Sequence, residues 1–121
     1  MLGREMRIQG ITIEVSDLTA SKDFYENVLG FRPGEYYEPT KWQPYTFADQ
    51  YFAIREVEGK KPHDDLDITN FELDDVDELW ASVNDSATVA EPLAPTPYGT
   101  YKFVVKDPDG YRLGFVRARQ G

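Results

Sequence analysis

The chain has 121 residues, of which 40% are hydrophobic and 29% charged, with no cysteine and a formal net charge of −9. That is one domain's worth of ordinary globular composition, large enough for a hydrophobic core. Lack of cysteine excludes disulfides, thiolate metal sites and a cysteine nucleophile. The acidic balance argues against nucleic acid as a partner, because phosphate binding needs clustered Lys and Arg.

No apolar run approaches the ~18 residues of a membrane span, and the opening MLGREMRIQG lacks the apolar centre of a secretory signal. The expected location is cytoplasmic, with no membrane partner. An acidic surface serves solubility and also attracts cationic ligands.

In chain order, Ile11, Ile13 and Val15 alternate with Thr12 and Glu14, the period of a half-buried strand. Asp17 is placed to cap a helix in which Leu18, Phe24, Tyr25, Val28 and Leu29 recur at helical spacing. Gly30 occupies the left-handed position that ends it. This helix should cover the Ile11/Ile13/Val15 face, leaving Thr12 and Glu14 on the other. Residues 31–62 are aromatic and punctuated, predicting short strands at roughly 33–38, 43–48 and 51–57. EVEGKKPHDD (56–65) reads as a linker. A strand at 67–73 follows, then a helix capped by Asp74 or Asp75 and carrying Val76, Leu79, Trp80 and Val83. Asp75, Asp77 and Glu78 in its first turn suit the helix dipole. A short strand is expected near 87–91. EPLAPTPYG, with three prolines, is expected to be irregular. Strands at 100–106 and 111–117 flank the turn DPDG (107–110).

The segment DITNFELDDVDELWASV from Asp67 is a weaker copy of ITIEVSDLTASKDFYENVLGF from Ile11. At a constant offset of 58 residues, Ile13 matches Phe71, Glu14 matches Glu72, Val15 matches Leu73 and Asp17 matches Asp75. One domain (1–121) of two modules, about 7–58 and about 66–118, accounts for the chain. That repeated order, with Asp17, Phe24-Tyr25 and Leu29-Gly30-Phe31 in the first half and Asp107-Pro108-Asp109-Gly110-Tyr111 near the end, resembles the glyoxalase/bleomycin-resistance/extradiol-dioxygenase (vicinal oxygen chelate) superfamily. The likeness covers essentially the whole chain. It implies an α+β fold of two βαβββ modules whose mixed sheet curls around a cleft, usually in a dimer. Many members hold a divalent metal there. The positions at which the resemblance would place metal ligands carry Gly10, Ile68 and Gly114 here, and Ala53, Ile54 and Arg55 offer no donor for the remaining one. Metal sites need three or four N, O or S donors, so neither a metal nor another cofactor is expected.

In the fold that the resemblance implies, Glu14 and Glu72 line the cleft from equivalent positions. They would serve as acid/base groups or hold a cation, or else pair with Arg55, Arg112 or Lys102 across the sheet. Trp42, Tyr45, Phe47, Tyr98 and Tyr101 are expected around the same cleft, where aromatic rings sandwich a flat ligand; plain core or interface packing is the other use of such residues. Arg55 and Asn70 complete the expected ligand-binding set. His63, the only histidine, is a base or ligand by type, but in its polar linker it reads as solvated. DPDG is too short for a calcium loop, and the common hydrolase and nucleotide-binding fingerprints are absent. The reading is a metal-independent homodimer binding a small aromatic or cationic organic molecule. The alternatives are a lyase- or isomerase-type enzyme using Glu14 or Glu72, and a non-catalytic interaction module.

Overall fold

The computed structural model describes residues 3–118. Strand β1 (Gly10–Val15) leads into helix α1 (Leu18–Lys22), which widens without a break into a π-helical stretch (Asp23–Val28). Asp17 caps α1, its carboxylate accepting from the Ala20 amide at 3.1 Å. The π-type bond from Leu29 N to Phe24 O (3.0 Å) ends the helix, and Gly30 follows at φ +75°, a conformation only glycine adopts freely. Both Phe24 and Tyr25 are thereby buried. Strands β2 (Trp42–Phe47) and β3 (Gln50–Glu56) complete a three-stranded sheet of order β1-β3-β2, with β1 parallel to β3.

The second module repeats the plan. Strand β4 (Ile68–Leu73), helix α2 (Val76–Val83), β5 (Thr88–Pro95), β6 (Tyr101–Lys106) and β7 (Arg112–Arg117) form a four-stranded sheet of order β4-β7-β6-β5, with β4 parallel to β7. Two small mixed sheets with few helices give an α+β protein of the expected class, without a closed barrel.

Two segments differ from expectation. Residues 33–38 do not form a strand; only the isolated bridges Pro33–Tyr45 and Tyr37–Trp42 tie them to β2. Pro33 has no N–H to give a ladder, and a 3₁₀ turn at Glu38–Thr40 follows at once. Conversely, β5 runs through Pro92 to Pro95, where irregular chain was expected. It is an edge strand whose register shifts between Val89 and Glu91 and again between Glu91 and Ala94. An edge and its bulges are where a sheet tolerates proline.

One hydrophobic core joins the modules. Val15, Tyr25, Ile54, Val76, Val83 and Phe103 are fully buried within it. Phe31 meets Phe71 at 5.1 Å and Phe52 meets Phe71 at 5.6 Å between ring centres. The two motifs that carry the resemblance also touch. Tyr25 Oη donates to Asp107 Oδ2 at 2.7 Å across 82 residues of chain. The Ser16 amide donates to Asp109 Oδ1 at 3.1 Å. Asp107 Oδ1 holds the DPDG turn closed, accepting from the amides of Asp109 and Tyr111, each at 2.9 Å.

Candidate functional site

A cavity of about 1050 Å³ opens between the modules. Core aromatics make its floor, among them Phe31, Phe47, Phe52, Phe71 and Phe115. Ile11 of β1 and residues 69–73 of β4 form its sides, and Asp75, Glu78, Leu79 and Ser82 of α2 border it. Ile11, expected to be covered with Ile13 and Val15, is 37% exposed because it faces this space. The repeat explains where the space comes from. It relates α1 to α2 and the β6–β7 turn to the β2–β3 turn. The β6–β7 turn bonds to Ser16, just before α1, and to Tyr25 in the π-helical stretch that continues it, whereas Ala48 of the β2–β3 turn borders the cavity together with the first turn of α2.

The charged residues lining the cavity are Glu72, Asp75 and Glu78, and no Lys or Arg lines it. None of the three makes an ion pair among the described residues. An apolar floor under uncompensated carboxylates suits an apolar or aromatic body carrying a positive charge.

The nine residues expected around one cleft fall in separate places. Asn70 and Glu72 border the cavity, as does Phe47. Glu14 lies on the other face of β1, bound to Arg55 at 2.7 Å, the cross-strand pairing that their register allows. Trp42 shares that outer face; its Nε1 donates to Thr12 Oγ1 at 3.1 Å and its ring meets Tyr51 edge-on. Tyr45 is fully buried in the core, its hydroxyl donating to Glu26 at 2.9 Å. Burial first, and then the Glu26 carboxylate, push that hydroxyl far above the usual phenol range. Tyr98 and Tyr101 are exposed around the start of β6, with the Arg117 guanidinium 4.7 Å from the centre of the Tyr101 ring. Sequence reasoning missed Asp75 and Glu78 as lining residues. The signal was present: Asp75 is the N-cap residue of α2 and Glu78 lies in its first turn, positions that the sequence explained by capping and the helix dipole alone.

The superfamily's metal does not fit the residues that stand at its positions. Gly10 and Gly114 offer no donors, and neither has open space for a side chain. A Cβ on Gly10 would lie 2.5 Å from the backbone oxygen of Tyr51. On Gly114 it would collide with the Asn70 side-chain oxygen and approach Lys102 Cε to 2.9 Å. Ala53 and Arg55 share the outer face of β3 and supply neither imidazole nor carboxylate.

A family model for the glyoxalase/bleomycin resistance protein/dioxygenase superfamily matches residues 7–115. The chain belongs to this superfamily. No curated protein matches it, and solved structures supply the nearer comparisons. A protein of unknown function from Agrobacterium tumefaciens str. C58 is 22% identical with a TM-score of 0.82, over 97% of this chain and 98% of that one. A superfamily member from Sphaerobacter thermophilus DSM 20745 is 24% identical with a TM-score of 0.78, over 94% and 98% of the two chains. A lactoylglutathione lyase from Agrobacterium tumefaciens is 16% identical with a TM-score of 0.73, over 95% and 96%. At these identities the likeness is one of fold. Within the described residues, no helix is long and apolar enough to cross a membrane.

Proposed function

We propose that this superfamily member binds a small organic cation with an aromatic or apolar body in the cavity between its modules, without a metal. The observation that carries the proposal is the lining: phenylalanines below, and only carboxylates among the charged groups. A homodimer is the assembly that fits. Strands β1 and β4 are sheet edges open on one side, the kind of edge a second copy can pair with or cover. Met6 and Ile8, on the approach to β1, are 82% and 70% exposed. For an enzyme reading, Glu72 is the one of the two sequence candidates, Glu14 and Glu72, that borders this cavity, since the Glu14 carboxylate is bound to Arg55 on the other face.

Native mass spectrometry of the gently purified protein, followed by calorimetric titration with size-matched cationic and anionic aromatic compounds, tests the proposal. A dimer that takes up the cationic series, and loses about tenfold or more in affinity in the Glu72→Gln/Glu78→Gln double variant, is the expected result. Preference for the anionic series, or affinity unchanged in that variant, would refute it.

A further inference from the structure

We infer that His63, Asp65 and Asp67, on the segment that joins the modules, form a site for one first-row divalent cation of the zinc type. The three residues stand two apart in H-x-D-x-D, immediately before β4. In extended chain that spacing turns alternate side chains to one side. Their ligand atoms do converge, all lying within 4.8 Å of one another. His63 Nε2 and Asp67 Oδ1 are already 2.8 Å apart. Around a tetrahedral ion with bonds of about 2.1 Å, neighbouring donors sit roughly 3.4 Å apart. The observed separations bracket that value.

The histidine is held before any ion arrives. Its ring stacks on Tyr111, with centres 4.1 Å apart and planes inclined by 17°, and its side chain is 15% exposed. Its amide donates to Asp109 O at 2.7 Å. Gly110 lies against the His63 carbonyl with no room for a side chain between them, so the DPDG turn buttresses the ligand from behind. Arg112 Nη1 fixes the next part of the segment by donating to Asp65 O at 2.7 Å. The carboxylates face outward; Asp67 is 70% exposed, which leaves coordination positions for water. One imidazole with two carboxylates favours a first-row ion such as zinc over magnesium or calcium, which take oxygen ligands alone. None of the three residues lines the cavity, and none stands at the positions of Gly10, Ile68 or Gly114, although Asp67 directly precedes Ile68 in the chain. The site's occupant would tie together the linker, the DPDG turn and the start of β4.

The test is calorimetric titration of the untagged 121-residue chain, dialysed free of metal, with zinc chloride and separately with magnesium chloride. We expect one zinc per chain and no magnesium binding. Zinc affinity should fall at least tenfold in His63→Ala and in Asp67→Asn, and the zinc-induced rise in melting temperature should vanish in both. Should His63→Ala fail to fold, Asp65→Asn, altered at an exposed side chain, should show the same loss. No zinc uptake by the native chain, or uptake at undiminished affinity in Asp65→Asn and Asp67→Asn, would overturn the assignment.

Discussion

At the scale of the residue, Tyr25 shows how much one hydroxyl settles. It is fully buried and donates a hydrogen bond to Asp107, which is itself 5% exposed. Burial pushes the Asp107 carboxyl up, and the Tyr25 hydroxyl and two turn amides pull it part of the way back. Tyr25→Phe keeps the ring but takes one donor from a buried carboxylate, so urea unfolding should show a loss of about 1–3 kcal/mol. Burial, then the Asp107 charge, raises the hydroxyl well above its ordinary value. A raised acid contributes stability below its unfolded value, near pH 10, and loses it as pH rises through the folded value. The deficit of Tyr25→Phe should therefore narrow in unfolding curves taken above pH 10. Sequence alone marked Tyr25 and Asp107 as parts of two motifs but not as partners, because no local pattern reports a contact across 82 residues. Tyr45 is a different kind of miss. Two residues from Phe47 and three from Trp42, it has to share a strand face with Phe47 and not with Trp42. The alternation thus held the evidence that Trp42 and Tyr45 would part.

At the scale of the element, the start of α1 has two caps of different legibility. Asp17 acts three residues along the chain and was readable from spacing. Glu56 comes from the end of β3, where its carboxylate accepts from the Leu18 amide at 2.9 Å and from Lys41 Nζ at 3.1 Å. The amide first, and Lys41 second, hold this carboxyl below the usual carboxylate range. A lowered acid contributes stability above its unfolded value and loses it as pH falls through the folded one. Glu56→Gln should melt earlier than the native chain at neutral pH, and the gap should close as the pH is taken from about 5 down to 3. Helices and turns with local signatures, such as Gly30 after the first helix and DPDG before β7, were readable in this way. The behaviour of 33–38 and of β5 was not, because whether a proline-bearing segment joins a sheet depends on the edge available to receive it.

At the scale of the whole molecule, the repeat announced two modules but not how they would lie against each other. That arrangement comes from contacts between distant aromatics, Phe31 and Phe52 on one side and Phe71 on the other. It sets the cavity between the modules, whereas the resemblance led us to expect all the site residues around one sheet-lined cleft. The DPDG turn belongs to the second module by sequence, yet its carboxylates serve Ser16 and Tyr25 of the first. Duplicated halves that have exchanged parts in this way are no longer independent. Produced as separate chains, residues 1–58 and 66–121 should each remain largely unstructured by circular dichroism. Mixed in equal amounts, they should recover the native spectrum, with Tyr25→Phe in the first fragment weakening the reassembly. A gene doubling that began with two interchangeable copies would then have become a one-way step, each copy now completed only by the other.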